Sequence, residues 1–244
     1  MMQVVIQKGQ ANALSVPQPV LEKGCVLVAV EYSCISAGTE MASVNMSSLP
    51  LWKRAIQQPQ NVAKVMKMAS ELGVKKTYKR VTGQLSAGST TGYSNAGVVI
   101  GVGEGVDDIS IGDRVACAGA QCAFHAEVVC VPRNLVTFVP DEVSSQHAAC
   151  VTLGAIAMQG VRRASPSLGE TFVIIGLGIL GQLTMQMLRA NGCNVIGIDL
   201  DESRLALAKD MGMDAAISPV DKLSDDHVAR LTNGLGADGA IITA

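Results

Sequence analysis

The chain has 244 residues, of which 48% are hydrophobic and 16% charged, with 19 basic and 21 acidic side chains. This size suits one or two globular domains, and the apolar content excludes a disordered protein. The longest apolar stretch, 171–183, has 13 residues, whereas a membrane span requires roughly 20. The first residues lack a signal-peptide pattern and the seven cysteines are scattered, so a cytoplasmic protein with free thiols is predicted.

A β-type run at 26–30 predicts the first strand and is followed by an unusually basic segment. Residues 41–91 contain eight basic side chains and one acidic, whereas the rest of the chain contains eleven basic and twenty acidic. Apolar residues interleave with lysines there, which indicates a helical insert. It could be an electropositive lid for an anionic substrate, a solvated helical face or a nucleic-acid contact. With only Trp52 and Tyr78 available for stacking, nucleic acid is disfavoured.

Short β-type runs follow this insert and are separated by glycine and proline turns, a pattern typical of a compact all-β unit. They lie at 96–102, 114–118, 124–131 and 135–139. At 144–163 the apolar spacing becomes helical. This helix is predicted to mark the junction between a first domain, 1–143, and a second domain, 144–244.

Strands and helices alternate in the second domain, which predicts a parallel sheet and places the chain in the α/β class. The predicted strands lie at 171–176, 194–200, 215–217 and 239–243, and the predicted helices at 180–190, 202–211 and 224–232. A full dinucleotide-binding fold has six strands. Because the chain ends on the fourth, we expect the second domain to be truncated.

One glycine-rich motif carries the strongest functional signal. Gly176-Leu177-Gly178-Ile179-Leu180-Gly181 follows a predicted strand and opens a predicted helix, and Asp199 ends the next strand. In a dinucleotide fold such glycines allow the tight turn, the approach of the pyrophosphate and close helix packing, while the acid binds the adenosine ribose. These six residues and Asp199 are therefore predicted to bind NAD, with NADP less favoured. Arg204 could approach the same ribose or be a solvated helix residue.

Four segments together resemble the medium-chain dehydrogenase/reductase superfamily, the relatives of zinc-type alcohol dehydrogenases. These segments are 97–115, 176–181, 199–212 and 232–238. The resemblance implies a GroES-like β-barrel domain followed by a Rossmann doubly wound parallel sheet. It also implies an NAD(P)-dependent dehydrogenase or reductase.

Relatives with a catalytic zinc have a cysteine before Gly-Thr-Asp, a histidine in Gly-His-Glu and a third ligand near the domain junction. Here Ala37 precedes Gly-Thr-Glu and Tyr93 follows Gly92, while Cys150 lies near the third position. Since a zinc site needs three good protein ligands, we predict a zinc-free member. A zinc-dependent alcohol or polyol dehydrogenase and a non-catalytic nucleotide-binding module are the alternatives.

A second group of metal-binding residue types occurs within fourteen residues and comprises Cys117, Cys122, His125 and Cys130. A strand at 124–131 would point His125 and Cys130 to opposite faces. We therefore interpret the thiols as small apolar groups filling the barrel.

Hydride transfer needs a group that stabilises negative charge on the substrate oxygen. Without zinc, the hydroxyls of Thr39, which matches the family hydroxyl that contacts substrate, and of Tyr93 are the candidate catalytic groups. Tyr93 could equally be a space-filling aromatic residue. The predicted substrate is a small polar carbonyl or alcohol.

The basic insert and the motifs at 36–40 and 92–94 most resemble the N-terminal module of bacterial bi-domain oxidoreductases. There a sugar-dehydrogenase-like module follows the zinc-free module. The resemblance implies a sugar-derived or anionic small-molecule substrate, and a fused or associated module or a homodimer. No nucleic acid and no membrane is expected as a partner.

Overall fold

The computed structural model describes residues 1–57, 59–218 and 225–244. Contacts within the chain form two compact units, Met1–Val151 and Thr152–Ala244. The first is built mainly on antiparallel strands and the second on a parallel sheet, so the α/β class predicted from the sequence is confirmed. The domain division at 143/144 stays a prediction. No helix among the described residues is both long and apolar enough to cross a membrane.

The first unit has a curled five-stranded antiparallel sheet, the GroES-like half-barrel that the resemblance implies. Its strands are β3 (Cys25–Ser33), β5 (Ser94–Val102), β6 (Arg114–Ala118), β7 (Val128–Pro132) and β8 (Val136–Phe138). They pair in the order β7-β3-β5-β6-β8. Alternate valines from these strands, with Cys117, form the buried core, as the period of two in a strand requires.

A smaller sheet in the first unit consists of β1 (Met2–Gln7), β2 (Gln10–Ser15) and β4 (Ser89–Thr90), in the order β2-β1-β4. The strands β1 and β2 form a hairpin whose turn residues, Lys8 and Gly9, both have positive φ. The sequence does not predict this hairpin, because β2 has no buried side chain and so shows little apolar alternation.

Four helices occupy the basic insert: α1 (Ala37–Ser48), α2 (Leu51–Gln57), α3 (Pro59–Leu72) and α4 (Val74–Ala87). Pro59 stands at the first position of α3, where its missing N–H costs nothing. Gly73 follows α3 with a φ of 81°, the left-handed conformation that commonly ends a helix. Neither α1 nor α3 contains a buried residue.

The second unit is a Rossmann-like sheet of four parallel strands. The strands are β9 (Thr171–Ile175), β10 (Asn194–Ile198), β11 (Ala215–Ile217) and β12 (Gly239–Ile242), and the helices between them are α7 (Ile179–Ala190), α8 (Glu202–Asp210) and α9 (Asp225–Leu231). The order β11-β10-β9-β12 is the 3-2-1-4 order of a doubly wound dinucleotide fold. Residue 224, the predicted start of α9, lies outside the described residues.

The helix predicted at 144–163 is two helices, α5 (Ser145–Ala148) and α6 (Val151–Ala164). A tertiary contact lies at the interruption. The Ser94 hydroxyl, from the start of β5, donates a hydrogen bond to the Ala149 carbonyl oxygen at 2.5 Å. The carbonyl, which lies between the two helices, is thus bound by a residue of β5. Apolar spacing in the sequence cannot predict this contact.

Candidate functional site

The turn between β9 and α7 has the shape that a dinucleotide phosphate needs. Gly176 has a φ of 92°, a conformation that only glycine adopts readily. A Cβ on Gly181 would lie 2.0 Å from the Gly176 carbonyl oxygen, whereas a Cβ on Gly178 would meet no atom within 4 Å. Gly181 is therefore required for packing, and Gly178 leaves space above the first turn of α7.

Asp199 follows β10 and is bound to this turn. One carboxylate oxygen accepts a hydrogen bond from the Leu177 amide at 2.5 Å, and the other accepts from the Asp201 amide at 2.9 Å. Burial raises the pKa of Asp199, but the two amide donors and the positive charge of Arg204 outweigh it and hold that pKa below its usual range. The side chain is thus a fixed anion at neutral pH.

Arg204, in α8, lies between two carboxylates. Its guanidinium nitrogens are 3.7 Å from Asp199 and 3.6 Å from Asp201, and its side chain is half exposed. Gly176, Asp199 and Arg204 line one pocket of about 780 Å³, together with Ile175, Ile198, Leu200, Asp201 and Ala244. The structure therefore brings these three predicted residues together. Asp201, which also lines the pocket, was not predicted from the sequence. Its position two residues after Asp199 could have indicated it.

The apolar members of the motif have different surroundings. Leu177 is buried in the core of the second unit and presents its backbone amide to Asp199. Ile179 is 43% exposed at the start of α7, and Leu180 is half-buried. Of these three, Ile179 leaves the most side-chain surface open to a ligand.

The sequence did not predict a partly buried polar cluster in the first unit. The Nε2 atom of His125 lies 3.1 Å from both carboxylate oxygens of Glu40, and its Nδ1 atom lies 2.8 Å from the Ser33 hydroxyl. Glu40 also accepts hydrogen bonds from the Ser36 amide and the Thr91 hydroxyl. Residues far apart in sequence thus join α1 to the segments before β5 and β7.

The two candidate catalytic hydroxyls belong to segments that this cluster connects. Thr39 is exposed in the first turn of α1, next to Glu40, and its hydroxyl lies 3.4 Å from that of Ser36. Tyr93 is half-buried directly before β5, two residues after Thr91, and its carbonyl accepts from the Gly119 amide at 2.9 Å. The Thr91–Glu40 hydrogen bond, at 3.3 Å, links the two segments.

Cys150, which lies near the third zinc-ligand position of relatives, contacts another thiol. Its sulfur is 3.5 Å from that of Cys34. Burial raises the pKa of Cys34 to about 12, helped by the thiol hydrogen bond and the charge of Glu40. The thiol of Cys34 is therefore protonated at neutral pH. Across the described residues, no three His, Cys, Asp or Glu side chains converge as metal ligands.

The strand predicted at 124–131 is wrong at its start, because β7 begins at Val128. His125 lies in the preceding bend, where its amide donates to Thr91 and its carbonyl accepts from Val4. Its ring is held by Ser33 and Glu40. Cys117 lies in the barrel core, where burial raises the pKa of its thiol to about 12.

The His125 cluster should contribute measurably to stability. We expect His125→Ala to lower the free energy of unfolding by about 3 kcal/mol, because it leaves the poorly exposed Glu40 without its main partner. Urea unfolding measures this loss. The exposed ion pair Lys23–Glu104, at 2.6 Å, provides a control, since Lys23→Ala should cost less than about 1 kcal/mol. Equal losses in the two variants would contradict this role of the cluster.

Comparison with known sequences finds dehydrogenases. The family described as "Zinc-binding dehydrogenase" matches residues 180–244. The alcohol dehydrogenase of Geobacillus stearothermophilus is 27% identical over 180 residues, which make up 62% of this chain and 52% of that enzyme. The chain thus spans about half the length of this curated relative.

Solved structures of similar fold are oxidoreductases. An Escherichia coli oxidoreductase/dehydrogenase of unknown specificity aligns with a TM-score of 0.78 and 20% identity, covering 100% of this chain and 70% of that one. The Escherichia coli quinone oxidoreductase complexed with NADPH aligns with a TM-score of 0.73 and 17% identity, covering 96% of this chain and 63% of that one. At these identities the likeness establishes a shared fold.

Proposed function

We propose that the chain is a member of the medium-chain dehydrogenase/reductase superfamily and that it is an NAD-dependent oxidoreductase that acts without catalytic zinc. The observation that carries this proposal is the glycine turn with the fixed Asp199 anion beside one pocket. Its substrate is a small polar carbonyl or alcohol, and the resemblance to bi-domain oxidoreductases favours a sugar-derived one.

The residues of this pocket and of the neighbouring start of α7 fit the adenosine and pyrophosphate parts of NAD. The open space at Gly178 and the free N–H groups at the start of α7 suit a pyrophosphate. Asp199 would accept a hydrogen bond from the ribose 2′-hydroxyl and repel a 2′-phosphate. Arg204 would favour NADP if it were free, but its guanidinium lies beside Asp199 and Asp201. This supports NAD over NADP.

The donor set at the zinc position does not suit zinc. Ala37 and Tyr93 replace two ligands of the zinc-dependent relatives, whereas a catalytic zinc has three protein ligands. The imidazole of His125 and the carboxylate of Glu40 are of zinc-binding type, but they lie within hydrogen-bond distance of each other, and no third ligand converges with them among the described residues. No step of the proposed chemistry therefore uses a metal.

Two hydroxyls would take over the stabilisation of charge on the substrate oxygen. The nicotinamide, when bound, supplies or accepts the hydride. Thr39 and Tyr93 would donate hydrogen bonds to the oxygen, whose negative charge grows as a carbonyl is reduced. The Glu40–His125 cluster fixes the backbone next to both residues, and this preserves their positions without a metal.

A turnover screen tests the proposed function. Purified protein is incubated with NADH and a panel of aldehydes, keto-sugars and quinones, and with NAD and the matching alcohols, while absorbance at the nicotinamide band is followed. Turnover with at least one polar carbonyl or alcohol is expected. Cofactor binding without any turnover would favour a non-catalytic nucleotide-binding module, and stoichiometric zinc in chelator-free protein would contradict the zinc-free reaction.

Removing each candidate hydroxyl should lower the rate of hydride transfer. Because one donor to a developing oxyanion contributes about 10²–10³-fold in rate, we expect Tyr93→Phe and Thr39→Val each to lower kcat by at least tenfold. Affinity for NADH should not change. Thr137→Val, in β8 of the first unit and exposed, is the matched control, and its kcat should equal that of the wild type. If Tyr93→Phe keeps full kcat, Tyr93 is a space-filling residue.

A further inference from the structure

Helices α2, α3 and α4 carry a surface that the proposed chemistry does not use. Each helix exposes a pair of apolar side chains one helical turn apart, Trp52 and Ile56 in α2, Val62 and Met66 in α3, and Val74 and Tyr78 in α4. Five of these six are more than 60% exposed. We call these six residues, with the basic side chains between them, the insert surface.

These apolar pairs remain exposed after the helices have packed. Helix α3 contacts both α2 and α4, yet it contains no buried residue. In α4, Thr77 is the one buried residue among the side chains that the structure describes. A helix that faces only water carries polar residues at such positions, so repeated exposed apolar pairs indicate a binding surface.

The same helices are strongly basic. They contain eight basic residues and one acidic residue, Glu71, so their net charge is +7 although the whole chain is at −2. Lys64, Lys75 and Lys76 are among those exposed to solvent. The partner that this surface fits must therefore be anionic and must also cover aliphatic side chains.

We propose that the insert surface binds the face of an anionic lipid membrane. Helices with lysines beside exposed aliphatic and aromatic residues lie in the headgroup region, where the apolar side chains enter the acyl boundary. Acidic headgroups attract basic segments at short range. No other single partner supplies a continuous apolar layer beneath a dense layer of negative charge.

Other anionic partners match fewer of these features. Nucleic acid binds through stacking on aromatic rings, and this surface offers only Trp52, whose ring already has the Lys53 ammonium 5.3 Å from its centroid, and Tyr78. An acidic protein, or the acidic remainder of a second copy, would match the charge but would not by its charge cover the apolar pairs. The proposal departs from the expectation that no membrane is a partner. Binding at the membrane face needs no spanning helix, so the lack of one among the described residues does not conflict with it.

Trp52 makes the test direct, because it is the single tryptophan of the chain and lies on the insert surface. The whole protein is titrated with vesicles of phosphatidylglycerol and phosphatidylcholine while its emission is recorded. We expect emission to shift to shorter wavelength, lipids with brominated acyl chains to quench it, and half-molar salt to weaken binding more than tenfold. Phosphatidylcholine vesicles alone should bind at least tenfold more weakly.

Two charge-reversed variants complete the experiment. Lys75→Glu/Lys76→Glu should weaken binding to the acidic vesicles at least tenfold. Arg162→Glu/Arg163→Glu makes the same change in charge on α6, which is exposed at these positions, and should bind like the wild type. Circular dichroism checks that both variants are folded.

Several outcomes would overturn the proposal. One is an unchanged Trp52 emission with acidic vesicles, and another is equal weakening by the two variants. Tighter binding of polyglutamate or polyadenylate than of vesicles would assign the surface to a soluble polyanion. Salt-dependent self-association that buries Trp52, seen by sedimentation velocity without lipid, would assign it to a second copy. None of these outcomes depends on cofactor binding or turnover.

Discussion

Gly178→Ala is expected to weaken NADH binding by at least tenfold while the protein stays folded. A Cβ at this position meets no protein atom within 4 Å, so the substitution should not disturb the turn. In the proposed binding mode, the Cβ would fill the space through which the pyrophosphate approaches the backbone. Nicotinamide fluorescence measures the affinity, and a thermal melt measures stability.

Two further glycine substitutions separate binding from folding. Gly181→Ala places a Cβ 2.0 Å from the Gly176 carbonyl oxygen, so it should destabilise the protein by about 3 kcal/mol or more. Gly154→Ala, inside α6 and also in open space, should leave NADH affinity unchanged and stabilise the helix by about 0.5–1 kcal/mol. If Gly178→Ala bound NADH like the wild type, the turn would not be the phosphate site.

Asp199→Asn is expected to reduce the preference for NADH over NADPH by at least tenfold, or about 1.4 kcal/mol. The wild-type carboxylate is ionised at neutral pH, because its pKa is held below the usual range, and in the proposed binding mode it would repel the 2′-phosphate of NADPH. The amide keeps the size of the side chain but removes this charge. Measuring both dissociation constants for wild type and variant gives the change directly.

Asp201→Asn is the matched control for this prediction. Asp201 also lies beside Arg204 and lines the same pocket, but it is exposed. Its substitution removes an equal charge two residues away and should change the cofactor preference by less than Asp199→Asn does. Equal effects would show that general charge, and not contact of Asp199 with the ribose, sets the preference.

The parts of the fold that depend on local pattern could be predicted from the sequence. The turn 176–181 and the acid at Asp199 were identifiable because their spacing within one β-α-β unit is fixed by backbone geometry. The buried valines of β3 and the alternation of strands with helices after residue 171 likewise reflect local periodicity. These features indicated both the antiparallel unit and the parallel sheet.

Two features that the sequence did not predict involve contacts between distant residues. Glu40 and His125 are 85 residues apart, and neither lies in a motif that points to the other. The Ala149 carbonyl, between α5 and α6, accepts a hydrogen bond from the hydroxyl of Ser94, 55 residues earlier. Tertiary packing brings such residues together, and the spacing of apolar residues in the sequence does not predict which residues will meet.

The most direct test of the central claim is a titration of the wild-type protein with NADH and, separately, with NADPH, followed by nicotinamide fluorescence. The pocket at Gly176 and Asp199 predicts saturable binding of one NADH per chain, with NADPH bound more weakly. Absence of NADH binding at millimolar concentration would contradict the claim that this pocket is a cofactor site. Tighter binding of NADPH than of NADH would contradict the role given to Asp199.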